Sequence, residues 1–370
     1  MWCTMKNILI VGAGIAGSVL AREFAEAGNI VTVLEKNSTV GGNCSDSYVG
    51  DGVYLHEYGP HIFHTSNERV WKYINRFATM EHYEHKVKSL TDRGWAPWPI
   101  NYRTIELCYG ETIDVSFSMW KNDIEKARST HNTDTFEDKA VAEVGFPLYD
   151  MMIREYTRKQ WNRDPKLVPS EVFGRIRVVR SFDDHFFGDT HVCLPKNGYT
   201  NLVNNILDHE NISVYCGSMF SLKDAEESSA YAIFSSSRPD ELCLYSAGKL
   251  EYLTTIFQRN DSSYVDRPTP IVNDANEYVG TGIIRSTDYG KMFHSTYSGP
   301  IIDEISGKGK GNALYPVRTK ENTDLLQKYN RVLSSEYGII SIGRLGTYKY
   351  TNMDEAILLS LEMSDRFLGR

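Results

Sequence analysis

Short apolar runs and amphipathic stretches alternate along the first forty positions of this chain. Asn7–Val11 (NILIV) is apolar after its first residue, as in a parallel strand buried on both faces. A helical pattern follows through about Ala27, and a second apolar run, Ile30–Leu34 (IVTVL), ends at Glu35. Strand, helix and strand in that order predict a βαβ unit and a parallel sheet. From about Asn101 to Trp161 charged and apolar positions interleave at helical spacing. Within that stretch Thr135-Phe136-Glu137-Asp138 reads as a capped helix start. A helix at NLVNNILDH, a strand at Ile212–Tyr215 and another near Tyr231–Phe234 return to the first pattern. Residues 262–320, rich in Thr, Tyr, Ile and Gly, predict antiparallel strands. Ile339–Ile342 is a strand leading into a Gly343-Arg344-Leu345-Gly346 turn, and a helix after Asp354 closes the chain.

The turn between the first strand and helix is Gly12-Ala13-Gly14-Ile15-Ala16-Gly17. Gly12 permits a tight turn, Gly14 lets the backbone approach a pyrophosphate, and Gly17 lets the helix lie against the strand. The helix start offers free N–H groups to phosphates, and Glu35 can accept ribose hydroxyls. Just downstream, Lys36-Asn37-Ser38-Thr39-Val40-Gly41-Gly42-Asn43 resembles the basic-spacer-Gly-Gly segment of two-dinucleotide-binding-domain flavoproteins. That resemblance selects FAD over NAD and puts Lys36, Gly42 and Asn43 on the cofactor side.

The expected fold is therefore α/β: a discontinuous FAD-binding Rossmann-like domain with an inserted helical domain and an antiparallel β-sheet domain. Residues 1–85, 195–260 and 325–370 make the first, 100–170 the helical part on the substrate side, and 86–99, 171–194 and 261–324 the sheet domain. Composition narrows the partners. The net charge of −8 argues against a nucleic-acid binder, so an anionic ligand needs locally placed donors. The six cysteines, at 3, 44, 108, 193, 216 and 243, form no C-x-x-C pair, which argues against a zinc or dithiol site and suits a reducing compartment. No apolar run approaches membrane-spanning length and no signal-like segment opens the chain. A cytoplasmic protein with no metal is expected.

Several further blocks resemble the UDP-galactopyranose mutase family: Tyr58-Gly59-Pro60-His61-Ile62-Phe63-His64-Thr65, Tyr156-Thr157-Arg158-Lys159-Gln160-Trp161, Pro195-Lys196-Asn197-Gly198-Tyr199-Thr200, Tyr315-Pro316-Val317, and Gly343 through Asp354. The resemblance implies an enzyme that interconverts pyranose and furanose forms of a nucleotide sugar without net redox. In the family, N5 of reduced FAD attacks the anomeric carbon as the diphosphate leaves, and the ring reopens and recloses before the diphosphate returns. NADH or NADPH is the implied reductant, and the family often forms homodimers. By matching position, His61 lies against the flavin, Pro60 and Ile62 shape its loop, and Arg344 touches FAD. Tyr350, Asn352 and Met353 start a closing helix that faces the flavin carbonyl. Tyr156 and Trp161 face the nucleotide, with Thr157 and Arg175 on the same side, and Asn101 and Asn273 match substrate-side positions. Tyr315 and Tyr348 are expected near the diphosphate.

The sequence departs from the family at its diphosphate arginines: Gly282 stands at one position and an ungapped match puts Val179 at the other. Substitutes within reach of the pattern are Arg177, Arg180, Arg285 and Arg318, with Arg180, beside Val179, the expected catalytic member. On that reading the scaffold is a mutase whose anion pocket is rebuilt for an uncertain sugar and base. A flavin oxidoreductase acting on a sugar or amine, or a non-catalytic nucleotide-sugar-binding flavoprotein, are the alternatives.

Overall fold

The computed structural model describes residues 5–130, 134–260, 267–276, 282–295 and 299–370. Cys3, Gly280 and Thr281 lie outside them. A five-stranded parallel sheet runs in the order Ile212–Cys216, Ile30–Glu35, Asn7–Val11, Ala232–Ser235, Ile339–Ser341. Its strands come from the start, middle and end of the chain, because only Val/Ile-rich segments can sit between two covered faces. The first helix, Ile15–Glu26, covers one face together with the closing helix Met353–Leu368, whose Ser360 hydroxyl donates to the Ala16 carbonyl at 3.1 Å. Phe24, Phe234 and Phe367 meet there with ring centroids 5.1–5.4 Å apart.

A seven-stranded sheet runs Asn312–Pro316, Tyr252–Asn260, Ile301–Ser306, Ile283–Asp288, Ile271–Asp274, Val87–Thr91, Gly94–Trp98. It is antiparallel except where Ile271–Asp274 runs parallel to Val87–Thr91. Tyr252–Asn260 thus belongs to this sheet, although its place in the sequence suggested the nucleotide-binding part. Residues 171–194 also depart from expectation. They contain a 3₁₀ turn, Ser170–Arg175, then an irregular run, and end in His191–Pro195. That last strand pairs with Phe63–Thr65 and Met80–His82 in a separate three-stranded sheet. Local side-chain bonds explain the irregular run. The Asp183 N–H donates to the Ser181 hydroxyl (3.2 Å) and the His185 N–H to the Asp183 carboxylate (3.1 Å), in competition with any ladder. Between the strands Gly94–Trp98 and His191–Pro195 the chain forms helices Tyr102–Tyr109, Ile113–Thr130, Phe136–Val144 and Glu155–Trp161. The third is capped by Thr135, whose hydroxyl accepts from the Asp138 N–H at 3.1 Å.

Gly17 has no room for a side chain: a Cβ there would lie 2.1 Å from the Gly12 carbonyl oxygen. Gly17→Ala should therefore force the first helix off its strand and cost on the order of 3 kcal/mol. Urea unfolding checks this against Gly174→Ala, whose Cβ meets nothing within 4 Å and should leave the transition midpoint unchanged.

Candidate active site

The glycine turn and the Gly41-Gly42 loop form one cradle at the carboxyl ends of the parallel strands. Gly12 has φ +102°, and a Cβ on it would meet the Ser236 hydroxyl at 2.0 Å. The Gly41 N–H donates to the Ala13 carbonyl (2.9 Å), and a Cβ on Gly42 would come 3.0 Å from the Gly14 Cα. Two backbone segments can approach this closely only if both are side-chain-free. Glu35 is buried, and its carboxylate accepts from the N–H groups of Ala13 and Asn37, each at 2.8 Å. Each oxygen keeps a further acceptor site for a ligand hydroxyl.

This cradle is one wall of a cavity of about 880 Å³, within the usual range for ligand clefts. Gly12, Gly14, Gly17, Glu35, Lys36, Gly42, Asn43, His61, Arg344, Asn352 and Met353, all expected on the cofactor side, line it. Tyr58, the loop 218–224 and the segment 236–238 line it as well, and the sequence reading missed these. The two segments follow strands Ile212–Cys216 and Ala232–Ser235, and the carboxyl ends of parallel strands were the available signal for them.

His61 is oriented through both its backbone and its ring. Its N–H donates to His56 Nδ1 at 2.9 Å, and its own Nδ1 lies 2.7 Å from the Gly59 carbonyl. A carbonyl can only accept, so Nδ1 carries the proton and Nε2 is left as an acceptor. Burial, reinforced by Arg344, pushes the imidazole down to about 4, so it stays neutral near pH 7. Pro60 and Ile62 flank it, the latter buried.

Arg344 donates from Nε and Nη2 to the Thr351 carbonyl (3.0 and 2.6 Å). Its guanidinium lies 5.1 and 4.9 Å from the ring centroids of Tyr315 and Tyr350, which stack on each other at 4.6 Å. The Arg175 guanidinium carbon sits 2.8 Å from the Tyr350 centroid, and the residue keeps an exposed face. Arg285 completes the group. It donates from Nε to Asn273 Oδ1 (3.2 Å) and from Nη2 to the Tyr156 hydroxyl (3.0 Å), with Nη1 3.5 Å from Glu304. Burial works against its charge, but Tyr156 and Glu304 more than compensate and hold its pKa above the ordinary value. Burial raises the Glu304 carboxyl despite the arginine beside it.

Arg285 occupies this place through strand register. Asn273 and Glu304 are its neighbours on the two adjacent strands, and an irregularity between Ile283 and Arg285 shifts the register just before it. Such a bulge re-aims a side chain. Tyr156 stands on the helix Glu155–Trp161, directly after a π-helical stretch, Tyr149–Arg154. Trp161 and Thr157 are buried beneath, Trp161 within the main core.

The other expected site residues sit elsewhere. Tyr348 is 1% exposed, and its hydroxyl donates to the carbonyls of Glu251 and Val317 (2.9 Å to the latter), which makes it a core residue. Tyr350, two positions later, stands where Tyr348 was expected. Asn101 is a buried helix cap, accepting from Thr104 N–H (3.1 Å) and donating to the Asp183 carbonyl (2.9 Å). Arg177 donates to the His185 carbonyl (2.6 Å) and pairs with Asp183 (3.4 Å). Arg180 and Arg318 are exposed. Of the four expected substitutes, Arg177, Arg180 and Arg318 are thus placed elsewhere, and Arg285 stands in the tyrosine cluster with Arg175 and Arg344. Glu304 carried no signal in the sequence, whereas His56 stands five positions before His61.

Residues 151–350, over half the chain, match the family model for UDP-galactopyranose mutase, and residues 10–77 match an NAD(P)-binding Rossmann-like domain. A Klebsiella pneumoniae protein named "Probable UDP-galactopyranose mutase" is 34% identical over 98% of this chain and 95% of its own. An Escherichia coli dTDP-fucopyranose mutase is 29% identical over 98% and 99%. The fold matches a crystal structure of reduced UDP-galactopyranose mutase with a TM-score of 0.74 at 17% identity, covering 99% of this chain and 96% of that one. With its family model, its near full-length relatives and its fold in agreement, this chain is an isomerase of the UDP-galactopyranose mutase family.

Proposed function

We propose that the chain interconverts the pyranose and furanose forms of a nucleotide-diphosphate sugar with FAD as cofactor. The observation that carries this is the convergence of Arg175, Arg285 and Arg344 on Tyr156, Tyr315 and Tyr350, with Arg344 shared by the cavity that holds the glycine cradle. Three guanidiniums against two carboxylates, Glu304 beside Arg285 and Glu355 near Arg175, leave a local positive excess in a protein of net charge −8, which suits a diphosphate. The cradle fits the pyrophosphate of a dinucleotide, Glu35 its ribose, and the helix start at Asn352 and Met353 favours negative charge at a flavin carbonyl. When bound and reduced, the flavin supplies a nucleophilic nitrogen to the sugar's anomeric carbon.

The protein's own residues then bind and orient. Arg285 and Arg175 hold the diphosphate as it separates from the sugar and returns, the moment when its charge is greatest. Tyr315, whose hydroxyl is held protonated by Tyr350 beside it and by burial, donates to phosphate oxygens, and Tyr350 is stacked on it. Tyr156 orients Arg285, and Trp161 packs beneath it. Neutral His61 offers an Nε2 acceptor at the cavity wall. The described cysteines are free thiols, which fits a reducing cytoplasm, where NADH or NADPH serves as reductant. The sugar is UDP-galactose-like; the two relatives above carry names with different bases and sugars.

The test is to incubate the purified protein with UDP-galactopyranose or dTDP-fucopyranose and separate the products chromatographically. Furanose product only after reduction with dithionite is the expected result. Oxygen consumption with substrate supports an oxidoreductase, and a ligand-induced spectral change without product supports a binding protein.

A further inference from the structure

A separate cavity of about 520 Å³ shares no lining residue with the one that holds the glycine cradle. One wall is the segment 75–80, which joins the helix Glu68–Ile74 to the strand Met80–His82. The other is the turn after His191–Pro195 together with the helix that follows it, Tyr199–Leu207. Backbone ties the two walls, since the Lys196 N–H donates to the Thr79 carbonyl at 3.0 Å. Four asparagines line the space, Asn75 on the first wall and Asn197, Asn201 and Asn205 on the second. Asn201 and Asn205 stand one helical turn apart and share a face, and Asn197 precedes them by the same interval.

Two of these amides are held in place. Asn205 Nδ2 donates to the Phe77 carbonyl on the opposite wall at 2.8 Å, and Asn75 Nδ2 to the Trp71 carbonyl at 2.7 Å. Each keeps its Oδ1 and one N–H for a ligand. The Asn197 and Asn201 amides and the Thr79 hydroxyl take no side-chain hydrogen bond among the described residues, so their full donor and acceptor sets face the cavity's solvent. Arg76 is the only charged residue of the lining, and its charge is already answered. Its guanidinium pairs with Glu26, lies 3.9 Å from Glu23, and packs over the rings of Tyr73 and Phe77 at 5.3 and 4.8 Å from their centroids. The lining therefore selects neither an anion nor a cation. It offers neutral carbonyls and NH₂ groups side by side, the complement of a ligand that carries hydroxyls on neighbouring carbons, each able to donate to an amide oxygen and accept from an amide nitrogen.

We propose that this amide-lined cavity is a second binding site, for a neutral carbohydrate of disaccharide size, with Asn197 and Asn201 making the principal contacts to its hydroxyls. The volume falls within the range of about 300–1,000 Å³ typical of ligand sites. The two anchored amides, Asn75 and Asn205, present acceptors whose direction is fixed before the sugar arrives, which lowers the ordering cost of binding. The site stands apart from the diphosphate and cofactor residues, so it does not depend on the reaction assigned to them.

The full chain, with UDP added to saturation to keep sugars out of the diphosphate site, is titrated calorimetrically with maltose, lactose and cellobiose, and with inorganic phosphate as the charged control. At least one disaccharide should bind with a Kd of about 1 mM or tighter. Asn201→Ala removes an exposed amide that holds nothing in the fold and installs a better helix former, so the thermal midpoint should not fall. Combined with Asn197→Ala it should weaken disaccharide binding about twentyfold or more, as expected for the loss of two hydrogen-bonding amides, while turnover of the nucleotide sugar stays at the wild-type rate. Failure of all three disaccharides to bind overturns the site, as does binding that the double variant retains. Sugar binding that UDP abolishes belongs to the diphosphate cleft and overturns it too. So does phosphate binding tighter than that of any disaccharide and lost in Arg76→Gln, which would make the cavity an anion site.

Discussion

Arg285→Ala should lower turnover of the reduced enzyme by about a thousandfold or more, the loss typical of removing a preorganised charge from a reacting group. Arg285 is tied at once to Asn273, Tyr156 and Glu304. Its loss removes a diphosphate contact, frees the Tyr156 hydroxyl and leaves Glu304 facing the cleft alone. An ionised carboxylate stranded in this way would cost about 3–5 kcal/mol. Glu304 is already raised by burial and can escape most of that by taking up a proton, so the stability loss should be smaller than the catalytic one. Arg285→Lys keeps the charge but lacks the planar fork that serves Asn273, Tyr156 and Glu304 together, and should recover only part of the rate. Steady-state rates at saturating nucleotide sugar, paired with urea unfolding of the same samples, separate the two losses. A rate within tenfold of wild type in Arg285→Ala would remove this arginine from the diphosphate site.

The sequence-to-structure comparison at this site turns on register. Gly282 appeared to vacate an arginine position, and ungapped matching cannot register the irregularity between Ile283 and Arg285 that reorients the strand. Arg175 ends a 3₁₀ turn and not a strand, and the step from Val179 to its neighbour Arg180 led to an exposed arginine. Tyr348 and Tyr350 have the same residue type two positions apart. The left-handed backbone at Tyr348, φ +53°, sends one into the core and the other into the cleft, and nothing in the residue names reveals which. The glycine cradle was legible because its requirement is steric and local: a Cβ at Gly12 or Gly17 collides within a few residues or with a neighbouring strand end. The parallel sheet was legible for a similar reason, since its strands are apolar runs closed by turn residues. Tyr252–Asn260 was misplaced because membership of a sheet depends on partners far away in the chain, here Ile301–Ser306 and Asn312–Pro316.

Stability should fall as the pH drops from about 6.5 towards 4, and three histidines set the sign. Burial pushes His61 down to about 4 and, with Arg285 and His64 nearby, His85 down to about 3. His56, buried and beside His61, is held well below its ordinary value. Unfolded, each takes up a proton near 6.5, but folded it refuses one until a much lower pH. Their contribution is therefore complete above about pH 6.5 and is lost on acidification at up to about 1.4 kcal/mol per pH unit for each histidine. Carboxyls raised by burial, Asp46, Glu304 and Asp354, act in the opposite sense, because the fold holds their protons at pH values where the unfolded chain has released them. A single variant isolates the histidine term. His85 lies among Tyr83, Phe186 and Phe187 and its Nδ1 has no hydrogen-bond partner, so His85→Phe removes one titrating group and keeps an aromatic ring. Relative to wild type, its urea midpoint should be higher at pH 5 than at pH 8, and its pH slope shallower by about one proton. Parallel slopes would mean that His85 is charged in the fold. Activity should fail along with stability. Once protonated, His56 Nδ1 can no longer accept the His61 N–H, and the loop that presents the Nε2 acceptor loses the bond that orients it.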